Sequence, residues 1–575
     1  NPLSVDLARL SLWLETLSSD KPLSFLSAHL KCGNSLVGIG IKTIFEKQTT
    51  LFESEKGRNG FVKNVKNFLM FESLEDDSPS AVKMKLEEYN KMQSKGTIYY
   101  ELKFLLNSKV SEFFGIKIPN LGDYRAKIGE NSLDFYTDQA FLQVKKLSDQ
   151  ERFFHWELEF PQIFYDEKGE EQVNTGFDVV IGNPPYLNIR DFKMSQDMKD
   201  CITNKFPTAD GQWDLFVPFV ELGLNMLKKG GNFGMIIKDS IGISRYTEKL
   251  IEFIESNYFL YQIDFFPNIK LFKAGVYNKI IFIEKNKREK KTKRILHESE
   301  QSDIKILNSV EGKKKYTEKE AKFEINKTKT INLGDICFAT YGLRPNSNKD
   351  DLKPRFKKSD LLSNTKTKLC NRVYTEGKFI DRYQIKKEFF IEWNSKRCPS
   401  RCTRTTYPEL YEPNKLLMSR QKRIVAFSDK KHIFDTTIVA GVRFCDMAGV
   451  DNSHIRKYFV NIQRDRKELE KISTEFDLKY ILGILNSKLI KYHLHYNSVG
   501  NIDTTPDDWK KIPIKNIPTN EQKPIIRVVE RIISLNKKNV IFHNDEIKKL
   551  EHEIDDLVFK LYGITEEEKK EITSF

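Results

Sequence analysis

Long apolar runs are missing from this 575-residue chain: none reaches the roughly 18 residues that a membrane-spanning helix needs. Cysteine is scarce too. Seven are present with no even, regularly spaced framework, which argues against a disulfide-stapled secreted scaffold and for a reducing compartment. No signal-peptide pattern opens the chain, so a soluble, cytoplasmic protein with no membrane partner is expected. Metal-ligating clusters are equally thin. Cys398 and Cys402, in Cys-Pro-Ser-Arg-Cys, have the spacing of a zinc half-site, but no second pair completes four ligands and no metal is expected. Cys32 reads as a small buried hydrophobe.

Positive charge, by contrast, is plentiful. Lysine and arginine number 95 against 81 acidic residues, a formal charge of +14, and an isoelectric point near 9.0 favours a polyanionic partner. A hydrophobic fraction of 39% supports packed cores. At about 150 residues per domain, the length implies three or four units.

One stretch organises the rest, Phe177 to Tyr186, FDVVIGNPPY. Its run of Phe177, Val179, Val180 and Ile181 is short, β-branched and continuous, the pattern of a strand buried on both faces of a mostly parallel sheet. Gly182 breaks the run. Pro184 and Pro185 fix φ and supply no N–H, so the chain leaves the strand as a stiff loop with free carbonyls, facing the crevice where open α/β sheets bind ligands. The Asn183 side-chain carbonyl and the next backbone carbonyl give two acceptors on a rigid frame, suited to an exocyclic amino group with two N–H donors, and Tyr186 offers a face for stacking. An amino group conjugated to a purine is a poor nucleophile because its lone pair is delocalised. Two acceptors draw it toward tetrahedral geometry and stabilise the positive charge that develops on attack.

Asn183-Pro184-Pro185-Tyr186 after FDVVIG resembles the (D/N/S)PP(Y/F) motif of DNA amino-methyltransferases. In its NPPY form it is similar to the adenine-N6 branch with gamma-class motif order, found in type IIG-like restriction-modification and phage-defence methylases. The resemblance implies an α/β fold: a Rossmann-like methyltransferase sheet with a helical insertion, then an α+β target-recognition domain and C-terminal helices. It also implies S-adenosylmethionine as cofactor and double-stranded DNA as partner. The methyl group would go to adenine N6 after base flipping, because N6 inside a duplex is paired and unreachable.

By the same resemblance the catalytic roles fall on Asn183, Pro184, Pro185 and Tyr186. LFKAGVYNKIIFI resembles the segment whose phenylalanine stacks the flipped adenine, which assigns Phe272 as the partner of Tyr186, with Phe265 and Phe266 nearby if the register differs. The opening NPLSVDLARLSLWLETL is similar to the family's Asn-Pro helix, which follows the acid that holds the cofactor ribose; Asn1 and Pro2 are therefore cofactor-site candidates. Asn34, in a Gly-Asn-Ser-Leu turn, is the candidate for the cofactor adenine. The family's Gly-rich cofactor loop precedes that helix, so the chain is expected to belong to a longer protein, inactive by itself, with a nuclease or other domains upstream.

Six segments are expected. Residues 1–40 hold the first part of the methyltransferase domain, where Val5, Leu7, Leu10, Leu12, Trp13, Leu14 and Leu17 make a helical stripe facing a sheet. Residues 41–150 form a helical insertion, with Tyr99, Tyr100, Phe113 and Phe114 in core packing. Residues 151–290 carry the catalytic part. There His155 beside Trp156 is structural, an apolar helix after Asp210 ends at Gly230-Gly231, and NFGMIIK is a strand with Lys238, Asp239 and Ser240 beside the base pocket. Residues 291–330 are a charged, solvated linker and 331–520 a target-recognition domain. Residues 521–575 are helical, with Ile547, Leu550, Ile554, Leu557 and Leu561 at helical spacing.

Arg344, Arg404, Arg420, Lys422 and Arg423, with Lys238 from the catalytic part, are the candidate DNA contacts, since arginine reads guanine edges and holds phosphates. A reading from another class is a catalytically incomplete DNA-binding specificity protein with a methylase-like fold. A third moves the methyl group to cytosine N4 or a protein glutamine; Asn rather than Ser ahead of Pro-Pro stands against the first, and the large basic region against the second.

Overall fold

The computed structural model describes residues 2–15, 26, 28–44, 55–73, 78–119, 121–128, 139–189, 194–267, 269–272, 277–286, 291–299, 303–318, 323–325, 328–347, 355–462, 464–498, 503–538 and 544–575. The chain divides into two compact units, Asn1–Glu318 and Lys319–Phe575.

The first unit is built on six strands: β1 (Phe177–Gly182), β2 (Leu227–Lys238), β3 (Phe259–Phe265), β4 (Asn278–Glu284), β5 (Lys293–His297) and β6 (Ile304–Leu307), in spatial order β1-β2-β4-β3-β5-β6. The pairs β1–β2 and β3–β5 are parallel and the other three antiparallel. Alternation along β2 and β4 puts Phe233, Met235, Ile237, Ile281 and Ile283 in the core. The expectation of a mostly parallel sheet with β1 buried on both faces is corrected here. Among the described residues β1 is an edge strand, and Val179 and Ile181 are 57% and 80% exposed. A continuous β-branched run reports a local preference for extended backbone and leaves the number of neighbours open.

Between β1 and β2 the helix Phe216–Asn225 is apolar on nearly every side and therefore interior. It ends at Asn225, and the Gly230-Gly231 pair expected to stop it lies inside β2. There Gly230, at φ +81°, turns the chain between Leu227, which pairs with Phe177, and Asn232, which pairs with Val179. Gly223 permits a close approach of helix to sheet: a Cβ there would stand 2.6 Å from the Phe233 ring and 3.1 Å from Val180.

Helices Glu55–Ser73, Pro79–Met92, Ile98–Ser111 and Gln139–Glu151 occupy the stretch read as an insertion, and Phe61, Val65, Tyr99, Leu102, Leu105 and Val144 share a cluster with Leu158, Phe164 and Tyr165. Ser78 and Thr97 cap two of them through side-chain oxygens. Phe113, by contrast, is 41% exposed.

Three further expectations change. The helix Pro2–Glu15 forms, but Leu3, Leu7, Leu10, Leu12 and Leu14 are exposed rather than packed on a sheet, and Asn1 and Leu17 lie outside the described residues. Cys32 is exposed. The charged stretch after residue 290, expected as a solvated linker, supplies β5 and β6. Ile295 and Leu307 turn inward, and buried Arg294 is accommodated because its guanidinium donates to the Asn308 and Thr317 carbonyls over the Phe265 ring.

The second unit is α+β. Strands Val425–Ser428, Lys415–Ser419, Ile438–Arg443 and Cys337–Tyr341 form an antiparallel sheet in that order. Helices Leu478–Asn486, Thr519–Lys538 and Asn544–Tyr562 share its core, where Ile554 is buried and Ile547, Leu550, Leu557 and Leu561 are partly so. The Leu-Asn-Ser turn has a clear physical purpose. Asn486 clamps the Val425 backbone, its Nδ2 donating to the carbonyl (2.8 Å) and its Oδ1 accepting from the N–H (2.9 Å), while Ser487 caps the helix Lys488–Asn497. No described helix is long and apolar enough to cross a membrane.

Candidate active site

β1 delivers Asn183, Pro184 and Pro185 at its carboxyl end, with Pro184 buried and Asn183 exposed. Tyr186 folds back over the loop. Its hydroxyl bonds to Asn183 Oδ1 and lies 3.2 Å from the Ile236 carbonyl of β2. Burial pushes the Tyr186 phenol up to about 12, so it keeps its proton and acts as a donor. One proton serves one acceptor at a time. When the hydroxyl turns to Ile236, Asn183 Oδ1 is released to receive an N–H from elsewhere.

Phe272 stands across from Tyr186, ring centroids 6.4 Å apart and planes at 45°. That is within the roughly 4.5–7 Å of aromatic contact, so a flat ring enters only by parting them. Phe265 and Phe266 are not placed for this. Phe265 is fully buried beneath Lys279 and Arg294, and Phe266 is stacked on His297 at 4.3 Å.

The segment after Tyr186 is anchored by a residue that motif reading passed over. Asp214, fully buried, accepts from Asn188 Nδ2 (2.7 Å), the Tyr246 hydroxyl (2.7 Å) and Lys238 Nζ (2.9 Å). Ser240 Oγ lies 2.8 Å from the same Tyr246 hydroxyl. Backbone bonds reinforce the tie: Ile189 N–H to the Trp213 carbonyl and Leu215 N–H to the Leu187 carbonyl. Lys238 is thus brought to the site as the ion-pair partner of a buried carboxylate, with its side chain still partly exposed. The signal in the sequence was an acid placed just ahead of a mostly apolar helix.

A cavity of about 470 Å³ runs along β1 from Phe177 to Pro185, walled by Trp156, Phe219, Leu222 and Gly223, with Ser35 on its lining. Trp156 Nε1 donates to the Ser35 carbonyl at 3.2 Å. Asn34 is fixed next to Ser35 by its N–H to the Arg152 carbonyl (2.7 Å). Asn34 itself and Pro2 are not among the lining residues. His155, also close in sequence, is structural. Its Nδ1 accepts from the Ile39 N–H (3.1 Å), so the proton sits on Nε2, which donates to Asn107 Oδ1 (2.9 Å), and burial pushes its pKa down to about 3.

Residues 1–272 match the family model described as the Eco57I restriction-modification methylase. This stretch is similar to the Eco57I-type methylase domains. Across 99% of its length the chain is 25% identical to a protein of Methanocaldococcus jannaschii named as a type II restriction enzyme and methyltransferase, of which it covers 48%. Over 38% of the chain it is 27% identical to the type II restriction enzyme and methyltransferase RM.Eco57I of Escherichia coli, covering 20% of that protein. The chain therefore spans about half the length of the first relative and less of the second. Among solved structures, the type IIL restriction-modification enzyme MmeI in complex with DNA aligns over 80% of this chain and 66% of its own, with a TM-score of 0.45 and 12% identity. The methylase domain ends its match at Phe272, so the whole Asn-Pro-Pro-Tyr loop and its aromatic neighbour fall inside it.

Outside the methylase domain, the basic candidates divide. Arg420 is engaged internally: it donates to the Thr436 and Thr504 carbonyls and to Asp503, and lies 5.0 Å over the Tyr341 ring. Lys422 Nζ donates to the Lys378 and Ile380 carbonyls, and Arg423 is half-buried at φ +54°. Arg420 and Lys422 thus tie neighbouring segments of this unit together through backbone carbonyls, while Lys422 stays exposed. Arg344 and Arg404 are exposed.

Proposed function

We propose that this chain is the methyl-transferring and DNA-recognising part of a site-specific DNA methyltransferase that modifies adenine N6 after base flipping, in a restriction-modification or phage-defence setting. One observation carries the reading: Asn183 Oδ1, on a stiff Pro-Pro frame at the end of β1, stands beside the two aromatic faces of Tyr186 and Phe272. The methylase family match over residues 1–272 supports the same chemistry. Tyr186 and Phe272 replace the stacking that a flipped base loses. Asn183 Oδ1 and the Pro184 carbonyl accept the two N–H bonds of its amino group and stabilise the positive charge that grows on nitrogen as the new C–N bond forms.

S-adenosylmethionine, when bound, supplies the electrophilic methyl group on a sulfonium. The cavity along β1 suits the purine end of that molecule, with Phe219, Leu222 and Val180 as apolar walls and Ser35 beside Asn34 as the polar edge. A second reading, the catalytically incomplete one, is favoured for the chain by itself, because β1 has no strand on its outer side among the described residues. Calorimetric titration with S-adenosylmethionine separates the two.

The test of the main reading is Asn183→Ala in the full-length protein. Methyl transfer should fall by about 10²–10³-fold, the roughly 2.7–4 kcal/mol typical of a preorganised group aimed at developing charge, with DNA affinity unchanged. Near-normal turnover of the folded variant would remove Asn183 from the mechanism.

A further inference from the structure

We propose that the two-stranded ribbon of Arg344–Ser347 and Cys402–Arg404 is the element of the second unit that enters a groove of duplex DNA, with Arg344 and Arg404 as its paired readers. The inference rests on the proposal above that DNA is the substrate. Its starting point is a register. The two strands are antiparallel, and Arg404 stands directly opposite Arg344. Like charges at directly opposed positions of a ladder repel one another, so this arrangement costs the isolated protein stability.

Among the described residues no carboxylate offsets this repulsion; the one favourable contact is that of Arg404 with the Tyr341 ring. Both arginines are exposed, and neither has an ion pair among the described residues. Other arginines of the same unit do have carboxylate partners: Arg372 with Glu412, Arg397 with Glu392, Arg443 with Asp446 and Arg466 with Glu470. A pair left unneutralised in a unit that neutralises so many others is a place for an external anion. The spacing of a two-stranded ribbon suits a polyanion with a groove, since the major groove of B-DNA admits such a ribbon and guanine offers two acceptors to each guanidinium.

The ribbon is also held stiff. Thr403 Oγ1 donates across it to the Asn346 carbonyl (2.7 Å), and Pro345 turns inward while Arg344 and Asn346 face out. The Arg404 guanidinium lies 5.6 Å over the Tyr341 ring, and the internally tied Arg420 lies over the same ring. Arg420 is accordingly a positioning residue: it steadies Tyr341, on which Arg404 rests.

The experiment measures two quantities on full-length protein carrying Arg344→Gln, Arg404→Gln or both. Binding to a fluorescein-labelled duplex containing the methylated motif should weaken about 5–150-fold for each base-reading arginine, and relax selectivity at one position. The double variant should bind with a salt dependence shallower by about two if both side chains also neutralise phosphate. The melting temperature without DNA should hold or rise, because repulsion has been removed. A double variant that keeps wild-type affinity, selectivity and salt slope on a duplex the wild type methylates overturns the ribbon and leaves the methyltransferase reading standing. Weakened binding accompanied by a lowered melting temperature assigns the arginines to structure and overturns it too. A wild-type protein that binds no duplex removes both proposals.

Discussion

Replacing Asp214 by Asn is the sharpest probe of how the first unit holds its loop. Three donors converge on this buried carboxylate: Asn188 Nδ2, the Tyr246 hydroxyl and Lys238 Nζ. Hydrogen bonds to a charged group contribute about 1.5–3 kcal/mol each. The Lys238 side chain is 32% exposed, so solvent screening reduces its share to about 1 kcal/mol or less. An asparagine keeps one acceptor oxygen and turns an amide NH₂ toward groups that are themselves donors. About 3 kcal/mol of stability should be lost, read by urea denaturation of the full-length protein. Methyl transfer should fall further than DNA affinity, because the segment following Tyr186 is tied to the core through Asn188.

Lys238→Met supplies the control. Alone it should cost about 1 kcal/mol, and in the Asp214→Asn background close to nothing, since the partner charge is gone. A loss below about 1 kcal/mol for Asp214→Asn, or strict additivity in the cycle, would refute the network.

Two other outcomes follow from the same unit. His155 has a folded pKa of about 3 against roughly 6.5 when unfolded, so the unfolded chain takes up the proton first; its stabilising effect is full above pH 6.5 and declines as pH falls toward 3. Between pH 7 and 5 the wild type should lose about 2 kcal/mol more than His155→Gln in denaturation series, and parallel profiles would contradict this. Phe272→Ala should weaken engagement of a flipped base by about 1–3 kcal/mol and suppress the fluorescence rise of 2-aminopurine at the target position; unchanged emission would detach Phe272 from Tyr186.

What was legible in the sequence was local. The Asn-Pro-Pro-Tyr loop, the strand before it and the aromatic at Phe272 were marked by rigid residues and short-range pattern, and in the structure the Tyr186 and Phe272 rings lie 6.4 Å apart, tilted by 45°. What was illegible depended on neighbours far away in the chain. Nothing in KREKKTKRILHE announces that Arg294 will be buried, because its partners, the Asn308 and Thr317 carbonyls, are contributed by later turns. Arg420 and Lys422 looked like surface charge beside a turn; the carbonyls that consume them come from segments some 16 to 84 residues distant. Asp214 needed three partners, from three separate segments, before its role could be seen. Gly230-Gly231 read as a helix stop because glycine signals a turn without saying which element it interrupts.

The outer edge of β1 has a consequence for handling the protein. Among the described residues no strand pairs with the outer side of β1, and such an edge, with Val179 and Ile181 exposed, is a template for an extended segment of alternating apolar residues. Native edges are commonly guarded by lysine, proline or a bulge along their length; here the only charge on the strand is Asp178, which is held by Lys228. Prepared as an isolated 575-residue chain, the molecule should accumulate as concentration-dependent oligomers through this edge, and a lysine at Ile181 is the substitution that would keep it dispersed.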